Sequence, residues 1–206
     1  LRVFPKSQGE LWEEGYDTDE KKYIGAKWGK YIRAPEIFFK ILEYGKGILV
    51  PLKEVAEIRR GFTTGANEFF YLAEEEIKRR KIEKEFWMHK DKKGKWLPNK
   101  VVVSPREAKN VILNPKDLAK VVLIINKEKS KLRSKKVLSY ILKGEDSNFN
   151  ERPTCQSRKL WYSLDLREPW PILHPMIHHD RQTIISNKFG VQVDHNLFEI
   201  RPKRAR

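Results

Sequence analysis

The apolar residues of this 206-residue chain come in short bursts, and that limits what it can build. The longest aliphatic run is Val121–Ile125 (VVLII). It is β-branched and far shorter than the roughly 20 residues a membrane-spanning helix needs, so it reads as a buried strand. Strand-like and helix-like segments then alternate irregularly, without a regular βαβ rhythm. This predicts an α+β fold with twisted mixed or antiparallel β-sheet regions and peripheral helices. The first residues, LRVFPKSQG, lack the apolar core of a signal peptide. The missing initiator Met suggests a fragment of a longer protein.

Several elements are legible locally. Pro35 suits the first turn of a helix, and Ile37, Phe38, Ile41 and Leu42 recur at helical spacing before Gly45 and Gly47. This amphipathic helix is expected to pack on the main domain. Leu52–Ile58 and Glu68–Leu72 read as strands around a Gly61–Asn67 turn. The run EEEIKRRKIEKE has opposite charges at i,i+4 spacing and reads as an exposed, salt-bridged helix or a charged loop. Asp91–Lys95 reads as a turn. Ser134–Lys143 reads as a serine-capped amphipathic helix. Residues 144–158 read as irregular, and Trp161–Leu164 as the start of a second β region with strands at 181–186 and 197–200. Residues 1–27 read as a linker anchored by Trp12, Tyr16 and Tyr23, residues 28–200 as the main domain, and residues 201–206 as a basic tail.

Charge is the strongest compositional signal. Forty-three Lys and Arg against 28 Asp and Glu leave a formal net charge of +15. A surplus of that size favours a polyanionic partner, and without a membrane segment the simplest partner is nucleic acid. The single cysteine, Cys155, excludes an intramolecular disulfide and suits a reducing, cytoplasmic setting.

Two clusters suit DNA. In Arg59-Arg60-Gly61-Phe62-Thr63-Thr64-Gly65-Ala66-Asn67 the glycines allow positive φ and close backbone approach. The arginines can fork onto phosphate or guanine, and Asn67 can pair with adenine. The bland alternative is a glycine-containing hairpin with a basic flank, and on spacing alone the two stand about even. The second cluster is Arg152, Arg158, Lys159, Trp161 and Tyr162. Here the cations could track phosphates while an aromatic stacks beside a base; the alternative is a core pair with a solvated basic edge, and Trp161 reads as core whereas Arg152 and Arg158 read as DNA contacts. Arg106, Arg181 and Asn187 complete the candidate DNA-binding set. His174, His178, His179 and Asp180 have no metal-ligand spacing and read as polar loop residues. Short acidic patterns such as Glu76-Ile77-Lys78 are what a Mg²⁺-dependent nuclease would use, but no buried strand surrounds them.

The order of these segments resembles the target-recognition region of adenine-N6 DNA methyltransferases of restriction–modification systems. The motif carriers are Trp28, Arg33, Pro35, Gly61, Thr64, Gly65, Asn67 and Phe69, followed by Ser104-Pro105-Arg106 and Arg158-Lys159-Leu160-Trp161-Tyr162. The TaqI-like C-terminal specificity domain is the relative these motifs suggest. The resemblance implies double-stranded DNA as partner, an upstream methyltransferase domain in the same polypeptide, and S-adenosylmethionine as that domain's cofactor. The parent could also be a fused methyltransferase and endonuclease. The catalytic Asn/Asp-Pro-Pro-Tyr/Phe tetrad is missing, since Asn114-Pro115 is followed by Lys116, and the cofactor-binding glycine motif is missing as well. The resemblance therefore assigns no catalysis, cofactor or metal to this chain. A stand-alone nuclease and a general nucleic-acid-binding module stay open as alternatives.

Overall fold

A computed structural model describes residues 5–18, 20–25, 28–177 and 183–203. The chain divides into two units, residues 1–51 and 52–206, where the sequence suggested a boundary at 27/28. The candidate DNA contact Arg181 and the expected polar loop residues His178, His179 and Asp180 fall outside the described residues, as do residues 204–206.

The first unit holds short helices and a two-residue ladder. Helix α1 (Gln8–Gly15) starts at a capping box in which Ser7 Oγ accepts from the Glu10 amide and the Glu10 carboxylate accepts from the Ser7 amide. Those bonds hold the Glu10 carboxyl at about 2, with the Ser7 backbone the largest cause. A two-residue ladder pairs β1 (Tyr16–Asp17) with β2 (Lys22–Tyr23). The expected aromatic anchors stack on one another, with Trp12 4.7 Å from Tyr23 and 6.2 Å from Tyr16. Helix α2 (Gly29–Arg33) precedes α3 (Glu36–Tyr44), which begins after Pro35 and ends at Gly45 as its spacing predicts.

The second unit runs through α4 (Leu52–Val55), β3 (Ala56–Arg60), α5 (Asn67–Phe70), β4 (Tyr71–Ala73) and α6 (Glu74–Arg80). It continues with β5 (Met88–Lys90), β6 (Trp96–Pro98), β7 (Val101–Val102), β8 (Lys120–Val122), α7 (Lys136–Asp146) and α8 (Pro153–Gln156). It closes with β9 (Ile172–Pro175), β10 (Ile185–Ser186), β11 (Gln192–Val193) and β12 (Leu197–Pro202). The fold is α+β, with small sheets and short helices. No described helix is long and apolar enough to cross a membrane.

The largest sheet is antiparallel, in the order β10-β9-β12-β3. Its register sets Phe198 opposite Arg60 and Ile200 opposite Ile58. Arg201 and Pro202, expected in a loose basic tail, are the last residues of β12 and pair with Glu57 and Ala56. Strand β3 starts only where that pairing does, so Leu52–Val55 winds as α4 instead of extending. Asn67–Phe70 likewise turns as helix before β4 pairs with β8. Trp161–Leu164 forms no strand. A parallel pair, β7 with β11, joins this region to a second, smaller core that includes Leu113, Leu173, Ile185 and Leu197.

The main core surrounds Phe69, Phe70, Ile77, Val121, Val122 and Ile141. The charged helix α6 is amphipathic after all. Ile77 is fully buried while Arg80 bonds Glu76 at 2.5 Å on the outer side, and Lys81 ends the helix at φ +56°. Helix α7 takes its cap from far away in sequence. Ser134 does not cap it. Glu83 accepts from the Lys136 amide at 2.5 Å and the Val137 amide at 3.1 Å. Glu83→Ala should therefore cost about 1 kcal/mol, the usual worth of an N-cap, read as a lower urea midpoint at unchanged slope. An unchanged midpoint would mean that water replaces the carboxylate without loss.

Candidate nucleic-acid interface

The Gly61–Asn67 turn is where the two ends of the second unit meet. The Gly61 amide donates to the Leu197 carbonyl at 3.1 Å, and the Phe62 amide to Val193 at 2.7 Å. The His195 amide donates back to Phe62 at 2.9 Å. Beneath the turn lies Asp194, fully buried. It accepts from Tyr71 Oη at 2.9 Å, from Asn67 Nδ2 at 3.4 Å and from the Asn196 amide at 3.0 Å, with His195 Nδ1 at 3.1 Å. A buried carboxylate is tolerated only when bonded in this way. Burial, and then the Asp194 charge, push the Tyr71 phenol well above its ordinary range, while Arg167 nearby opposes the shift. Asn67 is thus turned inward, and Thr64 donates to its side-chain oxygen.

Several cations predicted to meet DNA hold bonds within the fold. Arg59 forks onto Glu199 at 2.8 and 2.9 Å, donates to the Glu168 carbonyl at 2.5 Å, and stands 4.2 Å over Trp170. Arg152 donates to the Gly65 carbonyl at 3.2 Å and pairs with Glu68, holding that carboxyl below its usual range. Arg158 donates to the Thr63 carbonyl at 2.6 Å and to Trp161 at 3.2 Å. Between them, Arg152 and Arg158 shape the turn from behind.

Two expected contacts need outright correction. Asn187 is buried, donates to the Trp170 and Val191 carbonyls and accepts from the Val191 amide. Thr64 is fully buried under the turn. Neither side chain can reach a phosphate or base in this fold. Trp161 and Tyr162 are core, as the sequence favoured. The Trp161 indole donates to Glu145 at 2.8 Å and the Tyr162 hydroxyl to Lys127 at 3.1 Å. His174 lies in strand β9 and not in a loop.

Four of the predicted residues are exposed: Arg60, Thr63, Arg106 and Lys159. Arg60 is steadied by one bond from Nε to the His195 carbonyl at 2.9 Å. Arg106 sits on a short 3₁₀ turn whose capping box the sequence SPRE encodes, with Glu107 accepting from the Ser104 amide at 2.8 Å. The structure adds one cation that sequence reasoning missed. Arg167 donates to the Arg60 carbonyl at 3.1 Å and lies 4.8 Å from the Phe62 ring centroid.

Two clefts flank this strand end. One, of ≈ 350 Å³, is polar and includes Thr63, Arg158, Lys159, Ser163, Asp165 and Arg167. The other, of ≈ 270 Å³, mixes Arg60, Ser104 and Asn196 with Val103, Met176 and Ile177. Among the described residues, no group of three or more His, Cys, Asp or Glu side chains is placed to hold a metal ion.

The second unit thus presents exposed cations beside one polar and one mixed cleft. Comparison with known proteins defines the class more closely. Residues 26–206 match the family described as the C-terminal domain of the type II methyltransferase M.Eco57I, and the chain belongs to that family. The match supports the expectation of a methyltransferase C-terminal domain and goes no further towards the TaqI-like assignment. The chain is also 30% identical over 149 residues to the type II methyltransferase M.AccI of Acinetobacter calcoaceticus. That alignment takes in 69% of this chain and 25% of the relative, so the chain spans about a quarter of the curated protein it matches.

Proposed function

We propose that this chain is the DNA sequence-recognition part of an adenine-N6 methyltransferase of a restriction–modification system. The observation that carries this reading is membership of a type II methyltransferase C-terminal family. The exposed cations at Arg60, Arg106 and Lys159 supply a means of holding the duplex. The preference for adenine rests on the resemblance of the Gly61–Phe69 segment to adenine-N6 enzymes. In this reading phosphate contacts supply most of the affinity and set the register, while a few side chains read base edges. The upstream methyltransferase domain of the same polypeptide binds S-adenosylmethionine and receives the adenine flipped from the duplex. This chain's own residues offer neither the catalytic tetrad nor the cofactor glycines, so its part is to bind and orient DNA.

The decisive experiment removes residues 52–206 from the parent enzyme. Site-specific methylation should disappear while S-adenosylmethionine binding persists. Site-specific methylation that survives the deletion would sink the proposal. At residue level, Arg60→Ala and Arg106→Ala should each weaken duplex binding. A lost phosphate contact lowers the salt slope by about one, whereas a lost base contact costs about 1–3 kcal/mol at one position of the site. Fluorescence anisotropy across a salt series reads both, and unchanged binding in both variants would move the interface elsewhere.

A further inference from the structure

We infer that the two clefts divide the work of DNA recognition: the Arg167–Lys159 cleft seats a backbone phosphate, and the Arg60–Asn196 cleft receives a base edge. This rests on the DNA-recognition reading and assigns its two components to separate places.

The first cleft has the chemistry of an anion site. Lys159 and Arg167, beside an Arg158 already bonded to the Thr63 and Trp161 carbonyls, share the lining with one carboxylate among the described residues, Asp165, which already accepts from Asn126 Nδ2 at 3.1 Å. Hydroxyls of Thr63 and Ser163 add polar lining. Arg167 is held before any ligand arrives, by the Arg60 carbonyl and the Phe62 ring. That anchoring uses one arm of the guanidinium fork. A fork held in this way loses little entropy when its other N–H groups meet a phosphate. Such contacts position a duplex but carry no sequence information.

The second cleft has a different character. Its lining includes Val103, Met176 and Ile177, and among the described residues Arg60 is its only charged one. Asn196 is fixed by its backbone N–H, which donates to the Asp194 carboxylate at 3.0 Å, and by Nδ2, which donates to the Val103 carbonyl at 3.3 Å. An amide and a guanidinium beside apolar surface match a base edge, where donors and acceptors lie next to a thymine methyl or a ring carbon. The clefts adjoin across the Arg60–Phe62 segment, because Arg167 of the first is bonded to the carbonyl of Arg60 of the second.

The test uses the whole chain, a fluorescent randomised duplex pool, a salt series, and sequencing of the bound fraction. R167Q should weaken all sequences alike, lower the slope of log K against log salt by about one, and leave the enriched motif unchanged. N196A and M176A should leave the slope unchanged and relax the motif at one position by about tenfold. Loss of Arg167 could disturb the strand end it braces, so K159Q serves as a second variant. Lys159 is exposed, and the same loss of slope is expected from its removal. The assignment is overturned if R167Q and K159Q alter the motif, if neither changes the slope, or if N196A and M176A leave every position of the motif intact. Salt-sensitive binding by the wild type with no enriched motif would also overturn the division, while leaving a DNA-binding surface. A wild-type chain that binds no duplex would overturn the recognition reading itself.

Discussion

Arg59→Ala is expected to destabilise the chain by about 3 kcal/mol, whereas its neighbour Arg60→Ala leaves stability within about 0.5 kcal/mol. Arg59 is 27% exposed, but the Glu199 side chain it forks onto is only 3% exposed. Glu199 also accepts from the Trp170 amide at 3.0 Å, so the carboxylate is fixed in place. Removing the guanidinium leaves a buried charge with one neutral donor, which costs far more than the pair itself contributes. Arg60 has no such partner. Its Nε bonds the backbone carbonyl of His195, and the residue is exposed. Chemical denaturation separates the two variants directly. Coupling can be read from a double substitution: Arg59→Met with Glu199→Leu removes both charges and should recover part of the loss, although the Trp170 amide then lacks its acceptor. If Arg59→Ala keeps full stability and instead loses DNA affinity, the brace described here is wrong and the sequence expectation of a DNA contact is restored.

This pair of arginines also marks what the chain discloses in one dimension. Local devices were readable. Pro35 and Gly45 bound α3, and the Gly61–Asn67 segment was a turn. Each depends on residues a few positions apart. What could not be read was which cations had already been claimed. Glu199 lies 140 residues from Arg59, Gly65 87 from Arg152, and Thr63 95 from Arg158. Nothing near those arginines announces such partners. Arg167 was missed for the converse reason. Among 43 Lys and Arg, an arginine in SLDLREP has no local mark, and only the fold carries it to the Arg60 carbonyl. Asp194 did leave a trace. It follows the valine-rich VQV segment and precedes Leu197, away from any charge run, as a buried acid should. The strand ends failed for a physical reason too. Leu52–Val55 has strand-like residues, but its ladder with β12 ends at the Ala56–Pro202 pair, beyond which Lys203 reaches the Val55 and Lys53 carbonyls while the segment winds as helix.

The second large effect is expected at Gly61, and its cause is space. The two glycines of the turn do different things. Gly65 has φ +77°, the left-handed conformation that disfavours a side chain. Gly61 does not need that conformation. A Cβ built on it would fall on the Val193 and Asp194 carbonyl oxygens. Those atoms are backbone and cannot swing away. The same stretch is pinned on both sides by the Gly61 amide to Leu197 and the Phe62 amide to Val193. Gly61→Ala must therefore either break these bonds or push the 193–195 segment aside. Moving that segment displaces Asp194, which gathers Tyr71, Asn67 and the Asn196 amide. Overpacking a core by a methyl usually costs about 1–3 kcal/mol. Here the loss of a bonded buried carboxylate adds to it, and about 3–5 kcal/mol is expected. Against a total stability of about 5–15 kcal/mol for a domain, that is enough to unfold a marginal chain at moderate temperature. The change should appear as a lower melting temperature and a lower urea midpoint. Where the variant still folds, Arg60 and Arg167 shift with the strand end they share, and DNA affinity falls even though no contacting side chain was touched. A Gly61→Ala variant that melts like the wild type would show that the two chain segments are not in backbone contact there. The arrangement of both clefts around Arg60 would then have to be abandoned.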